Sequence, residues 1–75
     1  MEEKARLAIM QEVYEVIQDN FGFDLGNAAQ DAFSLLGALC SGEICELDPD
    51  DDLTEVLVLE LTAEHPVWDH VRFVD

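Results

Sequence analysis

The stretch Thr54-Glu-Val-Leu-Val-Leu-Glu-Leu61 decides how the second half of this chain folds. Its centre, residues 56 to 59, is an unbroken run of valine and leucine, which are enriched in strands covered on both faces. We therefore predict a central β-strand at this position. The alternative interpretation is a third helix over residues 53 to 64.

Two further strands are predicted on either side of this stretch. Glu43-Ile-Cys-Glu-Leu47 and Val67-Trp-Asp-His-Val-Arg-Phe-Val74 both roughly alternate between apolar and polar residues, as half-buried strands do. Turn residues separate the strands, with Asp48-Pro-Asp-Asp-Asp52 before the central strand and Ala63-Glu-His-Pro66 after it. The second half of the chain is thus predicted to form a three-stranded antiparallel meander.

The first half is predicted to form two helices. Apolar residues recur at helical spacing from residue 2 to about residue 20, without Gly or Pro, and cover almost half of the helix surface. Residues 21 to 26 are predicted to form a turn whose aromatic side chains fold back onto the core. A second helix follows an N-cap at Asn27 and stops at Ser41-Gly42. Its predicted buried face consists of Ala28, Ala29, Ala32, Phe33, Leu36, Leu39 and Cys40.

Together these elements predict an α+β fold, in which an antiparallel two-helix hairpin packs on the three-stranded antiparallel β-meander in the order ααβββ. The chain has 75 residues, which is too few for more than one domain, so residues 1–75 are expected to form a single small acidic domain. The wide apolar surface of the first helix predicts two packing partners. They would be the second helix and the sheet, or one of these and a symmetric copy of the protein.

The charge balance is the strongest functional signal. The chain has 18 Asp and Glu against 3 Lys and Arg, which gives a formal net charge of -15 at pH 7, although 49% of its residues are hydrophobic. Three basic residues are too few to neutralise a row of phosphates, so direct binding to nucleic acid or to an anionic membrane is not expected. The expected partner is a basic protein, for which a nucleic-acid-binding protein is one candidate.

The acids are densest between residues 43 and 55, where seven of thirteen residues carry a carboxylate. This segment is either a solvated turn that aids solubility or a surface that meets Lys and Arg of a partner. We predict the second, as an inhibitor or a nucleic-acid mimic would use it. Trp68 is interpreted as a lid on the core or as an apolar anchor in the interface. The predicted partner-binding residues are Glu43, Glu46, Asp48, Asp50, Asp51, Asp52, Glu55 and Trp68.

No dedicated metal site and no cofactor are predicted. Asp48, Asp50 and Asp52 match the first, third and fifth positions of an EF-hand loop, but Leu53 stands where the loop requires Gly and Leu59 where it requires Glu. A zinc-binding domain is a minor alternative, because two cysteines and two histidines supply suitable ligand types at loose spacing. These residues are Cys40, Cys45, His65 and His70. The cysteines are otherwise expected to be small buried or half-buried thiols.

Catalysis is not expected, because the chain has neither a nucleophile motif nor a glycine-rich phosphate loop. One resemblance remains, and it involves Ser34. The chain resembles the acyl carrier proteins, which are acidic helical domains of this length with a modified serine at the start of the second helix. The segment Asp31-Ala-Phe-Ser-Leu35 departs from the Asp-Ser-Leu signature of that family, since Ser34 follows Phe33. An acyl-carrier-like domain is therefore a second minor alternative.

The main alternative function is structural. In this hypothesis the protein is a subunit of an assembly, or a homodimer that associates through its first helix, and the acids serve only solubility or adaptation to high salt. A cytoplasmic location is expected, because no apolar stretch approaches the roughly 18 residues of a membrane span. The first ten residues also lack the features of a signal peptide.

Overall fold

The computed structural model describes residues 2–74, which form three α-helices and one two-stranded sheet. The elements are α1 (Glu3–Phe21), α2 (Ala29–Ser41), β1 (Cys45–Leu47), α3 (Asp52–Glu60) and β2 (Val71–Phe73), with 3₁₀ turns at Gly26–Ala28 and Pro66–His70. The helix α1 packs against both α2 and α3, so its wide apolar surface is shared between two helices rather than between a helix and a sheet.

The two helices predicted in the first half are confirmed. The buried residues of α1 are Ile9, Val13 and Ile17, which follow one another at intervals of four and so share one side of the helix. The helix α2 ends at Gly42, whose φ of 78° gives the left-handed conformation typical of a helix C-terminus. A side chain at Gly42 would begin 3.1 Å from Arg6 Nη1, so the end of α2 lies beside the start of α1. The two helices therefore run antiparallel.

Several details of this half differ from the prediction. Asn27 does not cap α2, because it lies inside the 3₁₀ turn and no side chain caps the helix. Phe33 is 67% exposed and Leu35 is fully buried, since the core takes the stripe of α2 that contains Leu35 and leaves the neighbouring apolar stripe open. Phe21 packs against the core, but Phe23 is 98% exposed instead of folding back.

The predicted central strand is wrong, because residues 54–60 belong to α3. On this helix Leu53 and Leu57 are fully buried, whereas Val58 is 58% exposed and Leu59 is 78% exposed. One covered side and one open side are the burial pattern of a helix docked on a core, not of a strand covered on both faces. The structure thus supports the alternative interpretation as a third helix, over a shorter range than residues 53 to 64.

The sheet also differs from the prediction, because its two strands are parallel, with Cys45 opposite Val71 and Leu47 opposite Phe73. A parallel pair needs a crossover connection, and α3 lies in that connection. The predicted strand at 43–47 is confirmed only for Cys45–Leu47, and the predicted strand at 67–74 only for Val71–Phe73. The three-stranded antiparallel meander, and with it the α+β fold of order ααβββ, is therefore wrong.

The core forms where the helices meet the sheet. Its largest fully buried side chains come from all three helices, from β1 and from the second 3₁₀ turn: Val13, Leu35, Leu39, Leu47, Leu53, Thr54, Leu57 and Val67. The sheet and the three helices thus share one core.

Alanine substitution of two leucines on α3 tests its helical packing. Leu57→Ala should lower the free energy of unfolding by about 2 to 5 kcal/mol, because it leaves a cavity at a fully buried position. Leu59→Ala should change it by less than about 0.5 kcal/mol, because Leu59 is mostly exposed. Urea denaturation followed by circular dichroism measures both. A similar large loss for the two variants would contradict the helix and support a strand covered on both faces.

Candidate functional site: an acidic segment beside an apolar groove

The acidic segment, which we define as residues 43–55, is not a hairpin. It runs from the end of α2 through β1 and a turn into the first turn of α3. Six of its seven carboxylate side chains are exposed, and the seventh, that of Asp51, is half-buried. The predicted residues therefore lie at the surface, but they are spread over a strand, a turn and a helix.

Several of these acids have local structural roles. Asp48 Oδ1 accepts a hydrogen bond of 2.9 Å from the backbone N–H of Asp50, which stabilises the turn after β1. Asp51 occupies the N-cap position of α3, and Asp52 and Glu55 lie in the first turn. Negative charge is favourable there, because the N-terminal end of a helix carries partial positive charge. Some of these acids thus stabilise the N-terminal end of α3.

Glu46 is paired with a basic residue. Its carboxylate accepts a hydrogen bond from Arg72 Nη2, directly across the parallel strands. Both side chains are largely exposed, so this ion pair contributes at most about 1 kcal/mol to stability. Pairing of this kind cannot neutralise the protein, because 3 Lys and Arg face 18 Asp and Glu.

The side chain of Asp51 also contacts the side chain of Asp31 on α2. The Oδ2 atom of Asp51 is buried, and no N–H group of the described residues donates a hydrogen bond to it. A hydrogen bond between two carboxyl groups requires a proton on one of them. The hydrogen bond to Asp51, then burial, and then the negative charges of Asp51 and Asp48 raise the pKa of Asp31 to about 6. The pair therefore takes up a proton just below neutral pH.

This pair predicts a pH-dependent effect of Asp31→Asn. The pKa of Asp31 is higher in the folded protein than its usual 3.8, so the stabilising effect of its proton is complete below about pH 4 and is lost as the pH rises through 6. At pH 7.5 the substitution removes charge repulsion and should raise the free energy of unfolding by about 1 kcal/mol, after allowance for screening by water. The gain should shrink at pH 5, as measured by urea denaturation.

The matched control is Asp24→Asn, which removes the same charge from an exposed position in the loop between α1 and α2. It should produce less than half of the gain at pH 7.5. Equal gains for the two variants would show that general charge reduction, and not the pair with Asp51, causes the effect.

Trp68 lies at the edge of an open apolar groove. Its Nε1 donates a hydrogen bond of 2.7 Å to the carbonyl oxygen of Thr62, and its ring centroid lies 5.8 Å from that of Phe73. The indole is half-buried and packs against the core, as a lid would. It also borders an open groove of about 350 Å³. This Trp68 groove is lined by Val58, Leu61, Ala63, Trp68 and Phe73.

Exposed acids adjoin the Trp68 groove along the chain. Glu55 lies one helical turn before Val58 on α3, so the acidic segment reaches the groove. Two further acids directly follow lining residues in sequence: Glu64 and Asp69. The sequence signal for this groove was Trp68 alone. The other lining residues were missed because α3 was expected to be a strand and β2 was expected to pair antiparallel.

The four zinc-ligand candidates do not form one cluster, although Cys45 stands opposite Val71 in the sheet and so lies near His70. Cys40 is exposed on α2, contrary to the prediction, and Cys45 is buried in β1. His65 contacts the carboxylate of Glu12 on α1, and His70 is buried at the end of the second 3₁₀ turn. Between residues 2 and 74, no group of three or more His, Cys, Asp or Glu side chains is arranged to hold a metal ion. The structure thus gives the zinc alternative no support.

Neither Cys45 nor Ser34 is placed as a reactive nucleophile. Burial, followed by the negative charges of Asp31 and Glu46, raises the pKa of the Cys45 thiol and so disfavours the thiolate. Ser34 is exposed in the interior of α2, whereas the resemblance to acyl carrier proteins implies a serine at a helix start.

Comparison with protein-family models, with curated proteins and with solved structures gives no match for this chain. Among the helices of residues 2–74, none combines the length and the hydrophobicity that crossing a bilayer requires. The fold and the surface define the class instead. It is a small three-helix protein with an acidic segment that adjoins an apolar groove.

Proposed function

We propose that this protein binds a basic surface of a partner protein through the acidic segment, regulates or inhibits that partner, and acts in the cytoplasm. The charge imbalance carries the proposal. If each of the 3 Lys and Arg paired with one of the 18 Asp and Glu, the net charge of -15 would remain uncompensated. Exposed charge of one sign attracts an oppositely charged partner, speeds encounter and repels acidic competitors.

The Trp68 groove supplies what charge alone lacks, which is a place for an apolar anchor. Interfaces commonly combine a desolvated apolar centre with a polar rim, and the centre provides most of the binding energy. The partner proposed here therefore presents Lys and Arg around one large apolar side chain. Nucleic-acid-binding proteins are a suitable class, because their basic surfaces are built to meet rows of negative charge.

A salt titration with a matched pair of variants tests the acidic segment. The probe is a fluorescein-labelled amphipathic peptide of Lys and Leu, followed by fluorescence anisotropy. Its affinity should fall at least about tenfold between 50 and 500 mM NaCl, because salt screens exposed charges. The triple variant Asp48→Asn, Asp50→Asn and Asp52→Asn should weaken binding at low salt by roughly tenfold, equivalent to about 1.4 kcal/mol.

The control triple variant removes three exposed acids from outside the segment: Glu15→Gln, Asp19→Asn and Asp24→Asn. Both variants lose the same net charge, and the control should weaken binding by less than threefold. Equal losses would mean that the peptide senses only net charge, and an affinity that is indifferent to salt would contradict the proposal. Displacement of duplex DNA from a basic DNA-binding protein would assign the partner to the nucleic-acid-binding class.

Two neighbouring positions on α3 test the Trp68 groove. Val58 lines the groove, whereas the more exposed Leu59 does not. Val58→Ser should weaken binding of the Lys/Leu peptide by about three- to tenfold, because it removes apolar contact area from the anchor site. Leu59→Ser should leave the affinity unchanged within twofold. If both variants bind as the unsubstituted protein does, the Trp68 groove is not the site that binds the apolar side chain of the partner.

A further inference from the structure

Two rows of side chains, one on α1 and one on α2, carry no charged group although the protein is highly charged. On α1, the row of side chains from position 7 to position 18 contains only apolar, phenolic and amide groups. On α2, the row from position 33 to position 40 is likewise uncharged. Leu36 of α2 lines the same groove as residues of α1, so the two rows are adjacent. We call this surface the uncharged α1–α2 face, formed by Leu7, Met10, Gln11, Tyr14 and Gln18 of α1 and Phe33, Leu36, Gly37 and Cys40 of α2.

Large apolar side chains on this face are exposed. Leu7 is 48% exposed, Tyr14 is 54% exposed and Phe33 is 67% exposed. Contiguous apolar surface of this kind marks interaction sites on soluble proteins. The basic partner proposed above would find no carboxylate within these two rows. The face therefore suits a different occupant.

We infer that the uncharged α1–α2 face pairs with the same face of a second copy of this chain. Electrostatics opposes self-association least on this face, because two molecules with a net charge of -15 each repel one another least where neither carries charged side chains. In a two-fold symmetric dimer the same patch is used by both copies, so charge-free surface meets charge-free surface.

The face also has both parts of a knob-into-groove contact. It carries a projecting side chain, that of Phe33, and an open groove of about 490 Å³ between α1 and α2. A cavity of about 150 Å³ is enough to hold benzene, so the groove has room for a phenyl ring. A two-fold axis allows Phe33 of each copy to enter the groove of the other, which buries both aromatic rings in a closed dimer.

The oligomeric state tests this inference with the unsubstituted protein. Sedimentation velocity from 1 to 500 μM should show a monomer–dimer equilibrium, with more dimer at 1 M than at 50 mM NaCl. Salt shortens the screening length from roughly 14 Å to about 3 Å and so weakens the repulsion between copies. Binding of the basic peptide has the opposite salt dependence, so failure of one proposal is distinguishable from failure of the other.

Two phenylalanine variants form the matched test. Phe33→Asp should weaken dimerisation by at least about 30-fold, because it places a charge at the centre of the contact. Phe23→Asp adds the same charge at a residue that is 98% exposed and lies in the loop between α1 and α2, outside the face. It should change the dimer dissociation constant by less than threefold. Circular dichroism confirms that both variants fold.

Cys40 gives an independent readout that needs no substitution. It is exposed on the uncharged α1–α2 face, whereas Cys45 is buried, so one thiol reacts quickly with Ellman's reagent in the monomer. The second-order rate constant of this reaction should fall as the protein concentration rises through the dimer dissociation constant. In Phe33→Asp the rate constant should not change with concentration. A protein that remains monomeric at 500 μM and 1 M NaCl, or that is affected equally by Phe23→Asp, would overturn the inference.

Discussion

The burial of Leu53 and Leu57 on one side of α3 is the contact on which the rest of the structure depends. A nine-residue helix is too short to be stable alone in water, so α3 exists because this side is covered. Its docking makes the connection from β1 to β2 a crossover, which a parallel pair of strands requires. The same docking leaves Asp52 at the surface, in the first turn, where the N-terminal end of the helix favours a carboxylate.

The helices differ in how well local sequence patterns predict them. The helix α1 was predictable because its apolar periodicity is long and uninterrupted, and the end of α2 was predictable from Gly42. The run at residues 56–59 fits a strand or a helix equally well, and the signal that distinguishes them precedes it. Asp52-Leu-Thr-Glu55 has the spacing typical of a helix start, but Asp52 was assigned to the turn and Glu55 to the strand. The pairing of Glu46 with Arg72 joins residues far apart in sequence, which local patterns do not encode.

The chemistry of the candidate site was predictable, but the proximity of its parts was not. Composition alone indicates that carboxylates of residues 43–55 lie mostly at the surface. The contact of Asp31 with Asp51 depends instead on how α2 packs beside the start of α3. The Trp68 groove likewise exists because the end of α3, the following loop and β2 come together. The open stripe containing Phe33 was mistaken for the core, since both stripes of α2 are apolar and only packing distinguishes them.

Segregation of charge on the helices links the two proposed surfaces. On α1, Glu12, Glu15 and Asp19 follow a separate row from Leu7 and Tyr14, so acidic and uncharged surfaces lie side by side on one helix. Under these two proposals the same net charge favours binding of the basic partner and disfavours dimerisation. It attracts a basic partner and it holds copies of the chain apart. A basic partner that neutralises the acidic segment would lower the repulsion between copies as salt does. Because such coupling is reciprocal, pairing of the chains would in turn strengthen binding of that partner.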